Sequence, residues 1–171
     1  MLIKSVRGYK PSYGINCYFA ENATIIGDVI LGDEVSVWYQ AVIRGDVNSI
    51  RIGNRVNIQD GAVIHGTFKT ASTHIGNDIS IGHNAIIHGC KLNDNVLIGM
   101  GSIIMDHCEI GSTSIVAAGA VLTKNTIVEP GSVYAGIPAK KIKEIDLDLQ
   151  KNEIKRISKN YITYASWFME K

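Results

Sequence analysis

The run from Leu92 to Tyr134, LNDNVLIGMGSIIMDHCEIGSTSIVAAGAVLTKNTIVEPGSVY, carries an apolar residue at every sixth position: Leu92, Ile98, Ile104, Ile110, Val116, Leu122, Val128 and Tyr134. Six is neither the 3.6-residue period of an amphipathic helix nor the two-residue alternation of a hairpin strand. Hexad repeats read as a parallel β-helix, in which each hexad forms one side of a triangular prism and three hexads close a coil. Towards the N-terminus the same period passes through Phe19, Ile25, Leu31, Val37 and Ile43 and slips by three residues to Ile52. It continues through Ile58 and Ile64, takes five extra residues before Ile75, Ile81 and Ile87, and loses one before Leu92. Four positions after most of these sits a small or β-branched residue, among them Ala41, Ala62, Ala85, Ser102 and Ala120, of a size that fits a corner. Nineteen hexads predict about six coils over residues 19–139.

Two flanks stand outside the period. Residues 1–18, broken by Pro11 and Gly14, read as a lead-in that caps the prism. After Gly136-Ile137-Pro138-Ala139, residues 146–169 place Leu149, Ile154, Ile157, Tyr161, Tyr164 and Phe168 at helical spacing, with Asp146 or Asp148 at the start. This is an amphipathic helix that packs back on the prism or on a neighbouring subunit. The predicted fold class is all-β, a parallel β-helix with one C-terminal α-helix.

Composition narrows the function. The 171 residues carry a net charge of +1, which leaves no electrostatic footprint for nucleic acid or an anionic membrane. No apolar run approaches the ~20 residues of a membrane span. Cys17, Cys90 and Cys108 are too few and too scattered for a disulfide framework, which suits a reducing compartment. With no apolar signal core near Met1, the expectation is a cytoplasmic protein.

The register then decides where the histidines point. Hexads three apart stack at the ~4.8 Å spacing of adjacent strands. Ile87 lies over Ile64, so His65 and His88, one residue further on, share an outward column, and counting back to Ile43 adds Arg44 to it. His83 falls on the neighbouring side, with Asp60 one coil below. Two imidazoles so spaced can chelate one ion, and His83, on another face, suits the site of a second chain. A cyclic trimer would then hold three identical sites, each with two histidines from one subunit and the third from its neighbour. Three imidazoles and an open position are the ligand set of a catalytic zinc site. His74 and His107 lack such partners and read as surface residues, and Cys90 reads as packing.

The motifs Arg44-Gly45-Asp46, Asn57-Ile58-Gln59-Asp60-Gly61, His65, Ile81-Gly82-His83, His88-Gly89-Cys90 and Gly136-Ile137-Pro138-Ala139 resemble those of the γ-class carbonic anhydrases across nearly the whole chain. The resemblance implies left-handed coils, a homotrimer, and Zn2+ (alternatively Fe2+ or Co2+) held by His65, His83 and His88. It implies that Gln59 hydrogen-bonds the metal-bound hydroxide, that Arg44, Asp46 and Asp60 form an ion-pair network, that Asn57 lines the pocket and that Tyr161 approaches it. The implied reaction is reversible hydration of CO2 to bicarbonate. Two departures predict slow turnover. Val47 stands where the family pattern has a glutamate, and the loop Gly66–Thr73, GTFKTAST, contains no carboxylate where the pattern has a longer acidic loop with a proton-shuttling glutamate. The competing readings are a metal-dependent thioesterase, a coenzyme A-dependent hexapeptide acyltransferase, and a non-catalytic trimeric metal-binding protein.

Overall fold

The computed structural model describes residues 1–169. Three stacks of short parallel strands form the faces of a prism. One face is built from Val63–His65, Ile86–His88, Ile103–Ile104 and Val121–Leu122; the next from Thr73–Ile75, Lys91–Leu92, Glu109–Ile110 and Ile127–Val128. The third carries Tyr18–Phe19, Ser36–Val37, Asn57–Ile58, Ser80–Ile81, Leu97–Ile98, Ile115–Val116 and Ser132–Gly136. Thr24–Leu31 and Val42–Ile52 run unbroken around the corner between the first two faces.

The hexad residues point inward. Ile25, Ile43, Ile64, Ile87, Ile104 and Leu122 are fully buried in one stack, as are Val37, Ile58, Ile81, Ile98 and Val116 in another. Each such side chain contributes about 1.5–3 kcal/mol by leaving water. At one corner, Ala41, Ala62, Ala85, Ser102 and Ala120 close i→i+3 turns by donating to Trp38, Gln59, Gly82, Gly99 and Ala117. The residue before each of these, Gln40, Gly61, Asn84, Gly101 or Gly119, has a positive φ, as a type II turn requires at that place. The small residues predicted beside the corner are the ones that let the turn close over the core.

The coils number about seven rather than six, because the lead-in joins the stack. Leu2–Lys4 pairs in parallel with Thr24–Ile26, and Ser12–Tyr13 with Ile30–Leu31. These strands were invisible to the period because a tight turn from Val6 to Tyr9 separates them.

All three slips of the period fall at the corner between the first two faces, where the chain bulges at Asp46–Ser49, makes a small hairpin closed by the Thr67–Ala71 bridge, and cuts the corner short at Gly89. The His65/His88 column ends at this corner.

Asp146 accepts a hydrogen bond from the Leu149 amide and caps the C-terminal helical segment, which passes through a π-helical stretch, Gln150–Lys155, into Arg156–Met169. The helix lies on its own prism: Trp38 meets Tyr161 edge-on at 5.3 Å and Phe168 at 5.5 Å, and Tyr18 meets Phe168 at 5.4 Å. Cys17, Cys90 and Cys108 are free thiols. No helix among the described residues is long and apolar enough to cross a membrane.

Candidate metal centre

Parallel pairing sets His65 directly opposite His88. His65 Nδ1 and His88 Nε2 lie 3.2 Å apart. Two nitrogens bound tetrahedrally at the usual zinc distance are themselves about 3.3 Å apart, so this gap fits one edge of a coordination tetrahedron. The far nitrogen of each ring is taken: His65 Nε2 lies 2.9 Å from Asp46 Oδ1 and His88 Nδ1 lies 2.6 Å from Asp106 Oδ1. A carboxylate on the outer N–H fixes the tautomer and turns the inner lone pair towards an ion.

His83 stands on the corner leading into the same face, with Nδ1 2.9 Å from Asp60 Oδ2, as the register places it. All three rings are thus held by an aspartate through one nitrogen. Within one chain, no three His, Cys, Asp or Glu side chains converge on a single point among the described residues. The structure brings together His65, His88, Arg44 and Asp46, and separately His83, Asp60, Asn57, Gln59 and Tyr161.

In the first group, Arg44 donates to Asp46 Oδ2 while His65 occupies Oδ1. Burial alone would raise the Asp46 pKa, but hydrogen bonds from His65 and Arg44 outweigh it and hold the carboxyl below its ordinary range. In the second group, the buried Gln59 amide donates to Asn57 Oδ1 at 3.0 Å, and Asn57 donates to Ser80 Oγ at 2.7 Å. This spends one of the two Gln59 amide N–H donors on the scaffold and leaves the oxygen as an acceptor. Gln59, His83, Met100, Glu153 and Tyr161 line one cavity of about 320 Å³. Burial, with Asp60 and Tyr164 adding to it, pushes the Tyr161 hydroxyl up to about 12, so it stays a neutral donor through the physiological range.

Sequence reasoning missed Asp106 and Thr67. Asp106 is buried, accepts from Thr67 Oγ1 at 2.7 Å and has Lys124 Nζ at 3.7 Å. Burial again opposes its ionisation, and the hydrogen bonds from Thr67 and His88 again win, so its pKa is lowered. The signal was Gly89: with φ +55, a Cβ there would sit 2.4 Å from Asp106 Oδ1. The glycine beside His88 is the gap through which the aspartate of the next coil reaches the ring.

Residues 89–124 match the model of the bacterial transferase hexapeptide (six repeats) family. The chain is 36% identical over 167 residues to a carbonic anhydrase of Geobacillus kaustophilus, covering 98% of this chain and 91% of that protein. It is 38% identical over 160 residues to the mitochondrial gamma carbonic anhydrase 2 of Arabidopsis thaliana, covering 91% of this chain but 57% of that longer protein. A solved structure of a hexapeptide transferase family protein from Anaplasma phagocytophilum superposes with a TM-score of 0.92 at 38% identity, covering 98% of both chains. The chain belongs to the γ-class carbonic anhydrase family of hexapeptide-repeat proteins.

Proposed function

We propose that this protein is a metal-dependent carbonic anhydrase, a lyase that hydrates CO2 reversibly to bicarbonate in a homotrimer. The observation that carries this reading is the pair of ring nitrogens 3.2 Å apart, each backed by its own carboxylate. His65 and His88, with His83 of the partner subunit, would hold the ion. An all-imidazole set suits Zn2+, with Fe2+ or Co2+ as alternatives. When bound, such an ion supplies a Lewis acid that acidifies water at neutral pH.

The chain's own groups do the rest. Asp46 and Asp106 keep the His65 and His88 rings turned, and Asp60 does the same for His83. Arg44 sustains Asp46 in its ionised form. Asn57 fixes the Gln59 amide so that its oxygen can accept a proton-bearing group beside His83. Leu97, Ile98, Met100 and Ile157 give the cavity an apolar wall suited to a nonpolar gas. The hairpin after His65 offers Lys69 and no carboxylate, so it supplies no proton relay to bulk water, and turnover is slow.

The test is stopped-flow CO2 hydration on protein loaded anaerobically with zinc or iron, with His88→Ala as blank. A metal-dependent rate that disappears in the variant supports the reading. Full metal occupancy with no rate above the blank would sink it, and metal-independent acetyl transfer from acetyl-coenzyme A, releasing the free thiol, would favour the transferase reading that the hexapeptide family suggests.

A further inference from the structure

The lead-in and the short hairpin meet tip to tip beside the metal centre. Arg7 and Gly8, both with positive φ, form the tip of the Val6–Tyr9 turn. Phe68 and Lys69 form the tip of the hairpin closed by Thr67 and Ala71. Arg7 Cζ lies 5.6 Å from the centre of the Phe68 ring and Lys69 Nζ lies 5.1 Å from it, so two cations share one aromatic face system. The Arg7 guanidinium also donates to the Asp46 backbone oxygen at 3.3 Å, which ties the lead-in to the site. Between the two tips is a cavity of about 360 Å³, lined by Tyr9, Asn48, Ser49 and Phe68 and by Asp46, the partner of His65.

The charges in this cavity do not cancel. Asp28 is taken by Arg51 at 2.8 Å, and Asp46 by Arg44 and His65. Arg7 and Lys69 form no ion pair with any carboxylate among the described residues. Two uncompensated cations over an aromatic ring, with the Tyr9 and Ser49 hydroxyl-bearing side chains also in the lining, make a receptor for a planar oxyanion. Arginine matches a carboxylate through paired N–H donors and lysine adds a point charge.

We infer that the cavity between Arg7 and Lys69 is an anion-binding vestibule that takes a carboxylate-class oxyanion at the mouth of the metal centre. The inference rests on the proposed reaction only in naming bicarbonate as one such ligand. An organic carboxylate with an apolar body, which would lie against Phe68 and Tyr9, is the other source of the same chemistry.

Isothermal titration at low chloride, with bicarbonate in one arm and benzoate in the other, tests this on the purified full chain, on Lys69→Glu, on Arg7→Ala/Lys69→Glu and on Lys159→Glu. Lys159, exposed on the C-terminal helix, is the charge-matched control. The expected result is saturable binding of at least one anion, weakened at least about tenfold in the double variant, intermediate in Lys69→Glu and unchanged in Lys159→Glu, with added chloride weakening all of them. The same titration on His88→Ala must still show binding, since the vestibule does not use that ring. Affinity within twofold of the parent in the double variant, or binding that disappears in His88→Ala, would overturn the vestibule and place the anion at the metal centre. Neither result bears on the hydration rate, so the two ideas fail separately.

Discussion

His88 and Asp106 sit on successive coils, joined by a 2.6 Å contact that passes over Gly89, where no side chain stands in the way. Asp106→Asn keeps the shape and removes the charge that orients the ring. Loss of such a partner lowers metal affinity about 10–100-fold. Competition titration with a chromophoric chelator should show that drop with little change in melting temperature; unchanged affinity would mean that the carboxylate does not act on His88.

Gly89→Ala attacks the same contact from the backbone. The added Cβ would meet Asp106 Oδ1 at 2.4 Å and Ala71 Cβ at 2.7 Å, at a φ of +55 that alanine tolerates poorly. Strain of this kind costs about 1–3 kcal/mol, and urea unfolding should show it together with weaker metal binding. A variant as stable as the parent would mean that the coil relaxes freely at this corner.

Trp38 is the anchor of the helix, touching Tyr18, Tyr161 and Phe168. Trp38→Ala should destabilise the fold by about 3–5 kcal/mol and expose the segment after Asp146 to limited proteolysis before the prism yields. Simultaneous digestion of both parts would show that the helix is not a separable layer.

Thiol chemistry reports on the prism interior. Burial pushes the Cys90 thiol far up, and burial likewise raises Cys108, whose Sγ contacts the Thr123 oxygen. Burial raises the Cys17 thiol as well, but Cys17 is only part-buried, so a reagent reaches it without unfolding. A disulfide reagent at pH 8 should modify Cys17 first and reach Cys90 and Cys108 only as the protein unfolds; fast loss of all three thiols would contradict the packed interior.

Without a carboxylate on the hairpin after His65, proton release should limit hydration. Raising imidazole buffer from a few millimolar to tens of millimolar should increase kcat several-fold while leaving kcat/KM nearly constant, because the proton leaves after CO2 has reacted. A buffer-independent kcat would point to an internal relay.

The His65/His88 column and the His83–Asp60 pair were legible because parallel hexads stack in fixed register, so counting alone places outward residues. Asp106 was not, since its reach to His88 depends on the turn at Gly89 rather than on the period. Arg7 was hidden for a similar reason. Nothing in the hexads describes the turn that carries it to Phe68 and Asp46. The helix was legible in extent, and its cap only as Asp146 or Asp148, between which the structure selects Asp146, while the π-helical stretch Gln150–Lys155 leaves no mark in an apolar pattern.

A metal site divided between chains is tested directly by mixing two damaged chains. His83→Ala keeps the His65/His88 half and His88→Ala keeps the His83 half, so neither alone should hold metal or hydrate CO2. Co-expressed in equal amounts and purified as mixed trimers free of either homotrimer, they should regain about a third of the parental metal per chain, since one interface in three then joins the two intact halves. Hydration should return in proportion. Mixed trimers as empty and inactive as either variant would contradict the divided site.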